Sequence, residues 1–399
     1  MSNSGIRILV VDDETFMHKL LAHMLVKLGY TAVSACESGA LVLDIVDGPK
    51  PPELILLALN MPDMDGIELV RKLVDHGYTG SVILVSGAEE RVLQTAVYLV
   101  QAHHITVLGH LRKPVSIADL EEMTGRWRPA DEAEREATSY TAHDVRWAID
   151  NGELVNYYQP KVNVATGAVS GVETLVRWQH QEDGLVFPDR FISLAEETGL
   201  IDDLTRVVLS SAMKQTREWN DAGLRLKVAV NLSMSSCSSV TFADFVTDVI
   251  ALEGVEPEDV VLEVTESRLM LDQRAPLEIL TRLRLKHFRL SIDDFGTGNS
   301  SLTQLLKIPF DELKIDRSFV HGATHDSTAL AMYSASLNLG RELGMEVVAE
   351  GVEDLEDWDL LRRTHCDVAQ GYFIARPMPA EDLIGWITQW EERLPQLLT

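Results

Sequence analysis

Short apolar runs that end in an acid or an amide recur through the last two-thirds of this chain, and they restrict it to an α/β architecture. Glu173 in VSGVETLVRW, Asn231 in KVAVNLS, Glu263 in VVLEVTES, Asp293 and Asp294 in RLSIDDFGTG, and Glu350 in MEVVAEGVE all belong to such runs. An apolar run without polar alternation reads as a parallel strand buried on both faces. Its last residues then emerge at the carboxyl end of the sheet, where barrel enzymes place their chemistry. Oxygen donors gathered there suit a hard cation. The adjacent Asp293 and Asp294 suit a pair of cations, one carboxylate shared and its neighbour completing the second shell. Ions about 4 Å apart can clamp both the attacking and the leaving oxygen of a phosphoryl transfer.

Eight strand-like runs fall near residues 155–159, 169–176, 226–230, 260–264, 288–292, 312–315, 346–349 and 368–373. Helical patterns such as FISLAEETGLIDDLTRVVLSSAMKQTREWN separate most of them. Eight strands with intervening helices in about 250 residues predict a closed (β/α)8 barrel of the TIM type. A second alternation precedes it, with strand-like runs at residues 6–11, 32–35, 54–59, 82–86 and 106–111. That pattern predicts a five-stranded, doubly wound parallel sheet of flavodoxin-like order. The boundaries expected are 1–124 for this first domain, 125–140 for a charged linker (GRWRPADEAEREATSY) and 141–399 for the barrel.

The net charge of -27, from 62 acids against 35 Lys and Arg, argues against DNA or an anionic membrane as a partner, because no basic surface would drive counterion release. Cys36, Cys237 and Cys366 form neither a CxxC pair nor an even disulfide framework, which points to a reducing cytoplasm. RILVVDDE is too short an apolar run for a signal peptide, and no stretch reaches the roughly 18 apolar residues of a membrane span.

In the first domain, the polar residues at strand ends are Asp12, Asp13, Ser86 and Lys113, with Asn60-Met61-Pro62 and Met64-Asp65-Gly66 forming a turn after the third strand. This segment resembles a response-regulator receiver domain. The resemblance implies a Mg²⁺-binding role for Asp12 and Asp13, a switch hydroxyl at Ser86, a phosphate-contacting lysine at Lys113, and a histidine kinase or other signalling protein as partner. The family's phospho-accepting aspartate falls on Ala58, whose methyl group cannot accept a phosphoryl group. Asp63 and Asp65 lie beyond the strand, in the turn. His110 stands where receivers carry Tyr or Phe and reads as a half-exposed surface histidine.

From about residue 141 onward, ETLVRW, NLS, EVTES, IDDFGTG, ELKIDRSF, AEGVE and AQGYF together resemble an EAL-type cyclic di-GMP phosphodiesterase domain. Thr174 replaces the middle Ala of the naming triplet, a change a strand tolerates. The resemblance implies a first Mg²⁺ or Mn²⁺ held by Glu173, Asn231, Glu263 and Asp293, and a second held by Asp293, Asp294 and Glu350. It makes Lys314 the group that orients the attacking water, supported by Asp316. Glu350 is open to a second role as general base. Gln159, Leu175, Arg177, Glu353 and Gln370 would contact the substrate, with Leu175 packing on a guanine and Arg177 gripping a phosphate or pairing with a nearby acid. Residues 295–301 (FGTGNSS), anchored by Glu266, resemble the loop that couples metal binding to dimerisation, so a homodimer or higher oligomer through the barrel is expected. Gly296 and Gly298 also suit a plain strand-to-helix turn, and Pro377 and Met378 a helix-entry turn. No GGDEF-type cyclase motif is present. The expected function is hydrolysis of cyclic di-GMP to linear pGpG. The alternatives are a catalytically silent receptor for the same dinucleotide or an interaction scaffold.

Overall fold

The computed structural model describes residues 5–62, 64–88, 90–102, 105–127, 140–233, 241–265, 274–297 and 308–397. Contacts divide the chain into two compact units, Met1–Thr138 and Ser139–Thr399. Glu266, Asp63, Cys237, Gly298 and the rest of the loop to Ser301, and linker residues 128–139 lie outside the described residues.

In the first unit, β1 (Arg7–Val11), β2 (Ala32–Cys36), β3 (Leu54–Ala58), β4 (Ser81–Ser86) and β5 (Thr106–Arg112) form one sheet in the order β2-β1-β3-β4-β5. All pairs are parallel. Successive side chains of a strand face opposite sides, and the two cores follow that rule. Ile8 and Val10 pack with Met17, Leu21, Leu25 and Leu120 on one face. Leu9 and Val11 pack with Val42, Leu69, Leu73 and Leu93 on the other. Burial on both faces is why LILLA and SVILVS carry no polar alternation. The chain crosses from one side of β1 to the other between β2 and β3, which opens a crevice at the carboxyl ends of β1 and β3.

The second unit begins with a capping box in which Thr141 and Asp144 close the first turn of the helix Ala142–Asp150. It continues with β6 (Leu154–Asn163), β7 (Val169–His180), β8 (Gly184–Val186), β9 (Lys227–Asn231), β10 (Val260–Thr265), β11 (Arg289–Phe295), β12 (Glu312–Ile315), β13 (Glu346–Ala349) and β14 (Val368–Ala369). β6 pairs with both β14 and β7, closing eight strands into a barrel that β8 extends as a flap on β7.

A regular TIM-type barrel has all of its strands parallel, but β6 runs antiparallel to both neighbours. The cause is local: only residues 164–168 join β6 to β7, too few for a parallel crossover. Asn163 Oδ1 accepts from the backbone N–H groups of Ala165 and Thr166, and Gly167 turns the chain at φ 71°. Three boundaries also differ. β7 runs on to His180, so Glu173 sits within a strand rather than at its end. The last strand stops at Ala369 because Gly371 turns away against the backbone of Val352. The long helical pattern splits into Ile192–Glu197 and Ile201–Asp221 at Gly199, whose φ is 72°. Met378 bridges Tyr158 antiparallel, so ARPMP adds backbone pairing to β6 as well as a turn.

Among the described residues, no helix is long and apolar enough to cross a membrane. Gly171 on β7 lets β9 approach closely, since a Cβ there would stand 2.6 Å from the carbonyl oxygen of Lys227. Backbone cannot yield as a side-chain tip does. Gly171→Ala is therefore expected to lower barrel stability by about 1–3 kcal/mol, read as a lower urea midpoint for the barrel transition; an unchanged midpoint would refute the close-packing argument.

Candidate functional site

Lys314 enters the barrel interior from β12 and is 1 % exposed. Its ammonium lies 2.7 Å from Glu350, 3.0 Å from Glu263, 3.0 Å from Asp293 and 3.5 Å from Glu173. Burial acts to strip its proton, but Asp293, Glu173, Glu263 and Glu350 outweigh burial and hold the group well above the usual lysine range. Lys314 is thus an ammonium donor at neutral pH and cannot serve as a base.

Glu173 reaches this cluster from β7, braced by two amides. Gln370 Nε2 donates to its Oε2 at 2.6 Å and Asn231 Nδ2 donates to its Oε1 at 3.0 Å. Burial works against its ionisation, yet Lys314, Lys161 and the amide donors keep it below the normal carboxylate range. Gln370 also donates to Gln159 Oε1, and Gln159 in turn donates to the carbonyl of Ala375. Gln370 Oε1 is buried with no hydrogen-bond partner among the described residues.

Adjacent residues of a regular strand point to opposite faces, so Asp293 and Asp294 need a special backbone to share one cleft. The register between β11 and β12 shifts between Ile292 and Phe295, and Asp294 adopts a left-handed φ of 56°. That bulge re-aims Asp294 toward the mouth of the barrel, as bulges near functional sites commonly do. Asp293, Asp294 and Glu350 consequently bring carboxylate oxygens within 4.8 Å of one another. Burial, then the neighbouring acids, pushes Asp294 up to about 6. Burial raises Glu350 well above its ordinary value and Glu263 to about 7.

Glu173, Asp293, Asp294 and Glu350 border an open cleft of about 310 Å³ with Gln159, Leu175, Arg317, Glu353, Gln370 and Tyr372 on its walls. Gly351 keeps the wall thin, since a Cβ at its φ of 66° would strike the Arg317 side chain at 2.2 Å. Leu175 also borders an apolar cavity of about 250 Å³ beside the cleft. Arg177 does not line the cleft itself: its guanidinium lies over the rings of Phe187 and Tyr157, within electrostatic reach of Tyr372 and Glu173, and its Nη1 donates to the Val176 carbonyl. Asp316 caps the short helix Arg317–Val320 through Ser318, whereas the partners of Lys314 are the four acids above. Glu353 pairs with Arg317 at 2.7 Å. Glu266 lies outside the described residues. Sequence reasoning overlooked Tyr372, Arg317 and the interior Lys161, whose only signal was a charge inside an apolar strand.

The donor set suits a hard divalent cation, because carboxylate and amide oxygens are its preferred ligands. Clustered buried acids that one ammonium cannot neutralise repel one another. Both features call for added positive charge.

At the crevice of the first unit, Lys113 pairs with Asp12 at 2.8 Å and with Glu14 at 3.1 Å. Asp12 is fully buried, Asp13 is exposed, and Ser86 Oγ accepts from the Ala88 N–H. Ala58 ends β3 as a buried methyl. A larger cleft, about 590 Å³, lies in the same unit beside Arg7, Glu53, Tyr78 and Arg126, but it contains none of the candidate residues.

Residues 142–377 match the EAL domain family, and residues 8–124 match the response regulator receiver domain family. The cyclic di-GMP phosphodiesterase RocR of Pseudomonas aeruginosa is 30% identical over 96% of this chain and 99% of that protein. The bifunctional diguanylate cyclase/cyclic di-GMP phosphodiesterase MucR of the same organism is 44% identical over 61% of this chain, which spans only 36% of MucR. Among solved structures, the PaMucR phosphodiesterase complex with c-di-GMP aligns with a TM-score of 0.58 and 45% identity, over 60% of this chain and 98% of that one. The EAL enzyme Bd1971, bound to cAMP and cyclic di-GMP, aligns with a TM-score of 0.59 and 26% identity, over 75% and 76% of the two chains. The chain belongs to the EAL domain family, carried behind a response regulator receiver domain.

Proposed function

We propose that this protein is a cyclic di-GMP phosphodiesterase that opens one phosphodiester of the ring to give linear 5′-pGpG. The observation that carries the reading is the Lys314 ammonium, ringed by Glu173, Glu263, Asp293 and Glu350 at the floor of an open cleft. Family membership supplies the substrate class. Two divalent cations, Mg²⁺ or Mn²⁺, would be held by Glu173, Asn231, Glu263 and Asp293 and by Asp293, Asp294 and Glu350, and would supply Lewis-acid polarisation of the phosphodiester and acidification of water.

The chain's own groups account for the rest. Lys314 donates to the attacking water or to the developing phosphoryl charge, holding the nucleophile in line. Glu350, 2.7 Å from the Lys314 ammonium, is assigned to take a proton from that water. The water oxygen bonds phosphorus, the bond to the 3′ oxygen breaks, and the proton ends on that oxygen. Gln370, itself hydrogen-bonded to Gln159, holds Glu173 in place, both amides face the substrate, Leu175 offers an apolar face to a guanine, and Arg177 and Glu353 complete the contacts. Asp316 acts by positioning the segment that carries Arg317, and Glu266 is assigned to the loop at residues 295–301.

In this reading, residues 1–124 are a regulatory module, 125–140 the linker and 141–399 the enzyme, acting in the cytoplasm as a dimer or larger oligomer through the barrel. The support for self-association is the resemblance of residues 295–301 to a coupling loop. Asp12, Asp13, Ser86 and Lys113 form a receiver pocket suited to Mg²⁺ and to a histidine kinase or other signalling partner, without the acceptor that Ala58 replaces. Nucleic acid and membrane are not partners, on the charge balance.

Conversion of cyclic di-GMP to pGpG, followed chromatographically, tests the assignment. Mg²⁺ or Mn²⁺ should support turnover and chelator should abolish it. Ca²⁺ should inhibit, because its larger, flexible shell relaxes the required geometry. Glu173→Ala, Asp293→Asn and Lys314→Ala should each reduce kcat by about 10²-fold or more with circular dichroism unchanged. Full turnover in chelator would overturn the metal assignment, and binding without turnover in any metal would leave a receptor rather than an enzyme.

The receiver module gives a separate expectation. Acetyl phosphate should leave the chain unlabelled, and Ala58→Asp should make it phosphorylatable, since Lys113 and Ser86 remain to contact the new phosphoryl group. Labelling of the unaltered chain at Asp63 or Asp65 would contradict the role given to Ala58.

A further inference from the structure

Deeper in the barrel, beneath Lys314, lies a second ammonium that the proposed reaction does not use. Lys161 on β6 is 4 % exposed, and its Nζ stands 2.7 Å from Glu263 Oε1 and 3.2 Å from Glu312 Oε1. Glu312 Oε1 also accepts from Ser291 Oγ at 2.9 Å. The second oxygen of Glu263, Oε2, is the one that meets Lys314, at 3.0 Å. Both oxygens of a carboxylate with no exposure at all are therefore committed, one to each lysine.

Strand periodicity explains the stacking. Glu312 and Lys314 are two apart on β12, and Ser291 and Asp293 are two apart on β11, so each pair faces the same side of its strand one layer apart. Glu263, Ser291 and Glu312 are direct register partners across β10, β11 and β12. The deep layer thus consists of Glu312, Ser291 and Lys161. The layer above it holds Lys314 and Asp293, and Glu263 spans the two.

Stability does not explain this arrangement. Each buried ion carries a desolvation cost, and well-packed apolar side chains commonly replace such sets as a whole at no loss. The deep layer instead restricts one degree of freedom that matters to the cleft. With only Lys314 as partner, the Glu263 carboxylate could rotate about its last bond and follow that lysine's motion. With Oε1 tied to Lys161, Lys161 tied to Glu312, and Glu312 in turn held by Ser291, Oε2 has one place to be.

We propose that Lys161 is a positioning residue for the phosphodiester cleavage: held by Glu312, it fixes the Glu263 carboxylate and thereby sets the placement of Lys314 and of the first cation. The inference rests on the phosphodiesterase reading above. Supporting groups behind metal ligands typically control affinity or activity by about 10–100-fold.

The test replaces the ammonium with an apolar chain of similar length, Lys161→Met, in the full-length protein. Mn²⁺ affinity is measured by electron paramagnetic resonance without substrate, kcat and KM are measured with cyclic di-GMP, and thermal unfolding is followed by circular dichroism. The expected result is kcat down at least tenfold, KM within about threefold, Mn²⁺ binding weakened about tenfold, and a lowered thermal midpoint with the circular dichroism of the folded protein unchanged, since Glu263 and Glu312 lose their shared cation. A folded Lys161→Met protein with kcat and Mn²⁺ affinity within twofold of the parent would overturn the proposal. If that variant does not fold, Glu312→Leu removes the anchor while leaving the contact between Lys161 and Glu263, and parental values for it would overturn the proposal equally. A parent protein that neither binds Mn²⁺ nor turns over substrate would sink the phosphodiesterase reading itself, which the variants alone cannot do.

Discussion

The ammonium of Lys314 sets the terms for the rest of the barrel. One positive charge, almost wholly removed from water, contacts four carboxylates at 3.5 Å or less. Such a group cannot be neutral while those acids are ionised, and those acids cannot all be ionised around it without further positive charge. The interior answers in part with Lys161, and the amides of Asn231 and Gln370 take some of the load from Glu173. The remainder falls on Glu263, Asp294 and Glu350, whose carboxyl groups burial and mutual repulsion push upward. A site built this way is incomplete in charge, and divalent cations at its mouth would complete it.

Backbone irregularities deliver the acids to that point. Asp294 sits at φ 56° in the register break of β11, a conformation a non-glycine residue adopts at some cost. Glu350 follows β13 and precedes Gly351, where any side chain would meet Arg317. The reversed direction of β6 brings Gln159 level with Glu173 and places Lys161 two residues deeper. The receiver unit shows the related case of a crevice without its acceptor. Lys113 is engaged by Asp12 and Glu14 beside the methyl of Ala58, and its two carboxylate partners outweigh burial and hold it above the ordinary lysine range.

Much of this was legible in the residues. Uninterrupted runs such as LILLA and VVLEV identified strands covered on both sides, and acids at their ends identified the chemistry. What escaped depended on information that periodicity does not carry. The direction of β6 was decided by a five-residue connection and the Asn163 turn, which hydrophobic pattern does not register. Glu173 lies inside a strand because the β6–β7 hairpin extends beyond the barrel rim. Lys161 looked like one charge in a strand, since nothing in the one-dimensional text shows that Glu263 and Glu312, the latter held by Ser291, converge on it. The placement of Arg177 over aromatic rings is likewise a tertiary fact.

The claim that the acidic ring is completed by cations is tested most directly by the protons that metal binding displaces. Burial raises Glu263 to about 7 and Asp294 to about 6, so the metal-free site holds protons near neutrality that a cation must expel. Protons compete more strongly as pH falls. Mn²⁺ affinity should therefore rise from pH 5.5 through the 6 to 7 range and level off above it. Calorimetry in buffers of different ionisation enthalpy should show net proton release on Mn²⁺ binding at pH 6.5. Binding that is independent of pH and releases no proton would contradict the account.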